Sequence, residues 1–322
     1  MNLEKSEIRP IGQAALRISI LCFGLMTLGS TVRTTDSGLS CPDWPMCFGK
    51  LVPHMDIQIF LEWFHRLIAL CLGLLLVQMG WKIFKSPVLR KIYSKEILLA
   101  FILFTWQCVL GGLTVLKLLD PSIVSSHLLT ALLFFGLLLW IWRRSVFLDR
   151  KMAQPHSSSF RIKWELFLAT VLVYLQLGIG GMVSSNNAGL ICPDFPTCHG
   201  SWGLSGNFLV GIQMTHRYFA FALFAFSLFI FAKIRRERFI TIALAVRLFP
   251  LLLALQILLG VLNIYFAMPL YARIAHHANG ILIFTSVLLG TIDSILVSQG
   301  FLYKKVTSSF HNCNSKSQES VS

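Results

Sequence analysis

Apolar residues run continuously along this chain rather than alternating. Stretches near residues 14–33, 57–80, 97–116, 122–142, 164–184, 208–232, 242–264 and 274–298 are each mostly apolar. About 20 such residues, rising 1.5 Å each as helix, cross roughly 30 Å of hydrocarbon. Membrane barrel strands would alternate apolar and polar positions, and a backbone in lipid has to satisfy its own polar groups. The pattern therefore predicts an all-α polytopic membrane protein with eight transmembrane helices. The first stretch could also be a cleaved signal peptide, but its repeat partner, the fifth, lies mid-chain, which favours a retained helix. Composition fits this reading: 55% hydrophobic residues, 13% charged residues and a mean hydropathy of +0.70 are far from the balance of a water-soluble domain.

Charge adds orientation. The chain has 28 Lys and Arg against 14 Asp and Glu, an excess that could suggest nucleic acid. The basic residues, however, gather near the N-terminus, between helices 2 and 3, 4 and 5, and 6 and 7, and in the tail. The opposite loops hold only Arg33, Lys50, Lys117 and Arg273, with Arg66 and Arg217 inside helices. That is the positive-inside pattern. It predicts a multi-pass protein of the cell membrane with both termini cytoplasmic and the loops before helices 2 and 6 outside, with lipid and no nucleic acid as partner.

Those two loops carry a repeat. Gly38-Leu39-Ser40-Cys41-Pro42-Asp43-Trp44-Pro45-Met46-Cys47 matches Gly189-Leu190-Ile191-Cys192-Pro193-Asp194-Phe195-Pro196-Thr197-Cys198, and His65-Arg66 matches His216-Arg217, all at an offset of 151. Further on, Gln107 to Gly111 matches Gln256 to Gly260, and His127 followed by Ala131 matches His276 followed by Gly280, at an offset of 149. Two tandem four-helix bundles, residues 1–150 and 151–303, should therefore share an orientation and be related by a pseudo-two-fold axis along the membrane normal. Residues 143–163 form the linker, and 304–322 a polar tail.

Cysteine pairs six apart in extracytoplasmic, proline-bearing turns predict the disulfides Cys41–Cys47 and Cys192–Cys198. The competing reading, zinc, usually spaces its cysteines by two to four residues, and His199 beside Cys198 does not rescue it. Cys22, Cys71 and Cys108 read as small core residues, and Cys313 as a tail residue. Ionisable groups at membrane depth are costly and usually functional. His65 and His127 in one half, and His216 and His276 in the other, fall at similar depths, so each pair can supply both axial ligands of a haem iron inside an apolar bundle. His277 points about 100° from His276 on a helix, and register favours His276. His54, His156, His199 and His311 read as solvated. Single histidines could instead serve as interhelical hydrogen-bond donors.

Taken together, Arg33 to Pro45, Glu62-Trp63-Phe64-His65-Arg66 and the repeated Cys192-Pro193-Asp194 resemble the haem A synthase family, over roughly residues 14 to 298. The resemblance implies an oxidoreductase that converts a ring methyl of haem O to a formyl group, giving haem A for terminal oxidases. It implies haem O as substrate in one half, a permanent haem B in the other and a disulfide beside the reacting haem. Haem O synthase, terminal oxidase assembly and an unidentified electron donor or acceptor are the implied partners.

The halves differ where chemistry would need them to. Glu62 precedes His65 by three residues on one helix face, whereas its counterpart is Gln213; Arg33 and Asp36 stand where the second half has Ser184 and Asn187. A carboxylate beside a haem edge can accept a proton. Residues 1–150 are thus expected to hold haem O with Glu62 catalytic, and residues 151–303 a haem B that passes electrons. The alternative for Glu62 is a structural partner for a nearby arginine. Arg66 and Arg217 are expected either to contact haem propionates or to snorkel outward. Two other functional classes use some of these features: a dihaem cytochrome b carrying electrons, perhaps as a quinol oxidoreductase, and a parallel-repeat transporter.

Overall fold

A computed structural model describes the backbone of residues 2–149, 162–203, 206–234 and 240–319, and their side chains apart from residues 2–6, 240–245 and 299–319. Most of the expected linker, with His156, and the side chains of His311 and Cys313 lie outside the described residues. Among the described residues there are eight α-helices: α1 (Asn2–Thr34), α2 (Ile57–Lys85), α3 (Pro87–Leu116), α4 (Pro121–Asp149), α5 (Lys163–Ser185), α6 (Phe208–Ile234), α7 (Ile240–Tyr265) and α8 (Leu270–Glu319). Each contains a span long and apolar enough to cross a membrane. The described residues contain no strand, only two isolated bridges in the cysteine loops.

Several helices outrun the apolar stretches that announce them, because polar capping residues stand beyond the apolar run. Ser86 ends α2 and caps α3, its hydroxyl accepting from Leu89 N at 3.3 Å with Pro87 in the first turn. Asp56 caps α2 by accepting from Ile59 N at 2.8 Å. Asp120, ahead of α4, accepts from Ser122 N at 2.9 Å. Hydrogen bonds from Ser122, chiefly through its hydroxyl, hold the Asp120 carboxyl below its ordinary range.

α1 to α4 pack in a ring in chain order, α4 closing onto α1, and α5 to α8 do the same. α2 and α4 are therefore diagonal in one bundle, and α6 and α8 in the other. The bundles join through α1 and α4 on one side and α5 and α8 on the other. A single apolar core runs through both, including Leu72, Leu76, Ile97, Leu132 and Leu138 in the first half and Val173, Ile230, Phe249 and Val287 in the second. Leu74, Trp81, Ile102 and Leu251 point outward, as they can where the surrounding solvent is hydrocarbon. Cys71 corrects the sequence reading: it is exposed on the outer face of α2, whereas Cys22 is buried and Cys108 intermediate. An unbranched thiol is apolar enough to face either way in an apolar medium.

Polar contacts fasten the two bundles at both ends of the interface. Arg143 on α4 donates from Nε and Nη2 to the two carboxylate oxygens of Asp293 on α8, at 2.7 and 2.8 Å. At the cysteine-loop end, Arg33 on α1 reaches the carbonyls of Ser184 and Ser185 and Oδ1 of Asn187, at 2.9, 3.4 and 3.3 Å. Arg33 thus spans the interface to touch its own repeat counterpart, Ser184.

Arg143→Met leaves Asp293 without its fork partner and should cost about 2 kcal/mol, less than the ~3–5 kcal/mol of a fully buried pair. The melting temperature of the detergent-solubilised protein checks this, and the double variant Arg143→Met, Asp293→Leu should recover most of the loss.

Candidate functional site

Each cysteine loop is a closed turn. Cys41 and Cys47 are bonded, as are Cys192 and Cys198, with S–S distances of 2.00 and 2.01 Å. Cys47 and Lys50 exchange backbone hydrogen bonds at 3.1 Å across Phe48-Gly49, both residues having positive φ. Cys198 and Ser201 do the same across His199-Gly200. Positive φ at both central residues is the mark of a tight hairpin turn, and glycine takes the second position without strain. The aspartate of each Cys-Pro-Asp holds that turn from inside. Asp43 accepts from Phe48 N and Gly49 N at 2.6 and 2.7 Å, and Asp194 from His199 N and Gly200 N at 2.6 and 2.8 Å. The Gly49 N–H holds the Asp43 carboxyl below its ordinary range; for Asp194 the leading cause is the Thr197 hydroxyl, followed by Gly200 N–H.

The arginine that follows each helix histidine ties the loop to the bundle. Arg66 Nη1 donates to the carbonyls of Asp43 at 2.7 Å and Met46 at 2.5 Å, and Nη2 to Cys41 at 3.3 Å. Arg217 repeats the set: Nη1 to the carbonyls of Asp194 at 2.8 Å and Thr197, and Nη2 to Cys192 at 3.0 Å. Arg66 also binds Glu62 Oε1 at 2.6 Å. Glu62 is 5% exposed, and its other oxygen accepts from Cys41 N at 2.8 Å. In the second half Gln213 donates to the Gly189 carbonyl at 3.2 Å, and its own oxygen is buried without a partner.

The four histidines lie on the diagonal helices at matching depth. His65 and His216 stand eight residues from the starts of α2 and α6, and His127 and His276 six from those of α4 and α8. Rings of His216 and His276 face one another across the bundle, 6.4 Å between centroids, while His127 lies within electrostatic reach of His65. His277 turns the other way, toward the backbone of Met26 on α1. Behind each ring of the four stands a glycine of the preceding helix. A Cβ on Gly29, Gly111, Gly180 or Gly260 would meet the ring of His65, His127, His216 or His276 at 3.1, 3.3, 2.9 or 3.5 Å. Four residues before three of these glycines, a glutamine amide donates to the histidine's own backbone carbonyl: Gln107 to His127, Gln176 to His216 and Gln256 to His276, each at 2.9 Å.

The model of the COX15-CtaA family, described as cytochrome oxidase assembly protein, matches residues 13–59 and 55–288. The chain belongs to that family. It is similar to a protein of Shewanella oneidensis named Heme A synthase, 29% identical over 83% of this chain and 92% of the relative. A Heme A synthase of Bacillus mycoides is 28% identical over 62% of this chain and 66% of its own length.

Within this COX15-CtaA chain, the residues singled out from sequence fall into two layers. Glu62, Arg66, Gln213 and Arg217 join the cysteine loops to the bundle ends, and the four histidines lie just beneath. Arg66 and Arg217 do not stand free; loop carbonyls take their terminal nitrogens. Arg33, read from sequence as a mark of the reactive loop, works as the bolt between halves. Sequence comparison matched Gly111 with Gly260 without giving them a role, and missed Gln176, Gly29 and Gly180. A third Gln-x-x-x-Gly, Gln176 to Gly180, was the available signal.

The aspartate-held turns give a pH prediction. A carboxylate whose folded pKa is depressed contributes its stabilisation above the unfolded value, near 3.8, and loses it as pH falls through the lower folded value. Corrected for protonation of the phosphine itself, the rate at which a phosphine reductant opens the disulfides should stay flat on acidification to about that value. Asp194→Asn should already open Cys192–Cys198 faster at neutral pH, measured by labelling the released thiols.

Proposed function

We propose that this protein is a haem A synthase, oxidising a ring methyl of haem O to a formyl group, and that residues 1–150 take the haem O. The observation that carries the reading is the pairing of two diagonal histidine sites with a single carboxylate, Glu62, beside one of them. The residues fit the group. Two metal–imidazole bonds of ~2 Å plus the two ring radii require roughly 6 Å between ring centroids, and His216 and His276 stand 6.4 Å apart. Nδ1 of His127, His216 and His276 is buried without a partner. When bound, the haem of the second half supplies one-electron redox chemistry in a site shielded from water.

In this reading His65 and His127 hold the substrate, and His216 and His276 hold a haem B in residues 151–303. Converting a methyl to a formyl group adds one oxygen atom; with water as its source the step is –CH3 + H2O → –CHO + 4 H+ + 4 e−, so protons leave with the electrons that the separate acceptor takes up. Glu62, one turn from His65 on the same face, is the group placed to receive a proton. Arg66 orients that carboxylate from one oxygen, and Cys41 N–H fixes the second. The cysteine loop is drawn down onto the bundle end by Arg66. Nε of Arg33 and Nε of Arg217 are buried donors without partners, and Arg217 Nε is the donor left for a haem propionate. The distribution of Lys and Arg supports cytoplasmic termini and extracytoplasmic cysteine loops. Haem O synthase would supply the substrate, terminal oxidase assembly would consume the product, and a separate electron acceptor completes the cycle.

One contact favours a second reading. Glu62 is bound to Arg66, as a purely structural carboxylate would be, and a dihaem electron carrier would use the same four histidines. Expression with and without a haem O supply, in a host lacking haem A, separates the two by mass analysis of extracted haems. Haem A or its hydroxylated intermediate, formed only with haem O, is expected; haem B with unconverted haem O would favour the carrier. Glu62→Gln, which copies position 213, should lower haem A formation by about 10²-fold or more while haem B stays bound.

A further inference from the structure

The glutamine and glycine behind His127, His216 and His276 form one device. Four residues apart, they share a helix face and lie one turn from each other. The glycine lets the imidazole lie against the neighbouring backbone. The glutamine occupies the second lone pair of the histidine's carbonyl, whose first serves the helix itself. Backbone and ring are thus both held against the adjacent helix. His276 is held furthest: Asn279 donates to Gln256 Oε1 at 2.7 Å and to the Leu252 carbonyl at 2.9 Å, so the glutamine is itself tied down.

His65 is the exception. Gly29 stands behind its ring as the others do, with a Cβ there meeting Nε2 at 3.1 Å. The position four residues earlier, the counterpart of Gln176 at the offset of 151, is Leu25. Leucine has no donor, and Leu25 packs against the apolar core instead. His65 is backed but not tied.

We propose that the missing amide at position 25 makes His65 the yielding ligand of the four, and that haem is exchanged from the first half by release on the His65 side. Leu25 is in these terms a positioning residue, acting through His65. The assignment of exchange to substrate turnover rests on the reading that residues 1–150 take haem O. A substrate that becomes product must leave, whereas a resident haem must stay. Three tied histidines and one untied one match those opposite demands.

The test uses the full-length chain, purified in detergent after expression with a haem O supply, and two reciprocal variants. Leu25→Gln installs the fourth amide, and Gln176→Leu removes one from the second half. Transfer of haem to excess apomyoglobin is followed by absorbance, and the transferred haem is identified by mass. Carbon monoxide binding to the reduced protein reports ligand release independently. In the unsubstituted protein haem O or haem A should transfer and haem B should remain. Leu25→Gln should slow that transfer and the carbon monoxide reaction about tenfold, the factor worth one hydrogen bond. Gln176→Leu should render haem B transferable and reactive with carbon monoxide. Wild-type rates in Leu25→Gln overturn the proposal. If that variant does not assemble, an inert haem B in Gln176→Leu overturns it, and a labile one supports it. This second arm reads haem B alone, so a protein that binds no haem O would sink the substrate reading while leaving the role of the amides to be decided on its own.

Discussion

A guanidinium one residue beyond a membrane histidine has to find acceptors where water is scarce, and that requirement organises the loop end of this molecule. A long side chain could carry the charge outward. Arg66 and Arg217 instead bring acceptors inward: each draws carbonyls of Cys41 or Cys192 and of the following turn down onto the helix bundle. A loop can present several carbonyls to one guanidinium only if it is tightly folded. The disulfides and the aspartate-held hairpin turns supply that fold, the aspartate occupying the N–H groups of the turn so that the carbonyls point the other way. The outcome is a lid over each histidine pair, held by the residue next to the histidine, so that loop and pair are positioned by the same turn of helix.

That coupling also explains how Glu62 is held. A buried carboxylate without partners would be strongly disfavoured; here the arginine already needed for the lid lies one turn away, and Cys41 N–H accounts for the second oxygen. Replacing the acid with Gln213 in the second half leaves the arginine's loop contacts unchanged. The lid therefore does not depend on an acid at this position, and the carboxylate of the first half is an addition to a frame that stands without it.

Much of this was legible in the sequence, and the reasons it stopped where it did are physical. Continuous apolar runs give eight helices because length and hydropathy decide spanning almost alone. The repeat exposed the histidines and cysteines because both recur at a fixed offset. The 100° step of a helix lets only one of His276 and His277 face inward, and the repeat register with His127 pointed to His276; in the structure the His276 ring lies opposite His216 and His277 turns to Met26. The fate of Arg66 and Arg217 was not legible, since it depends on which way a loop folds back, and periodicity within a helix carries no such information. Gln176 was hidden by the method that found everything else. Matching by offset sets it against Leu25, a mismatch, whereas its true likeness is to Gln107 and Gln256 on helices of the same role in other corners of the bundles.

The differences between the halves gather on one histidine. Relative to His216, His65 gains a carboxylate one turn toward the loop and loses an amide on the helix behind it. Neither change disturbs the glycine against its ring or the arginine beside it. A duplicated site begins with two copies equally suited to holding a haem, and permanence and turnover make opposite demands on the ligands. Tying a histidine from its carbonyl lowers its freedom to swing; a nearby acid offers a proton acceptor that a resident electron carrier does not need. On the proposed assignment of haem O to the first half, changing both properties at the same ligand would let the second bundle stay a rigid holder while the first becomes a place where a bound ring is altered and let go. The rest of the frame, from the Arg143–Asp293 pair to the common apolar core, joins the two bundles and is indifferent to that division of labour.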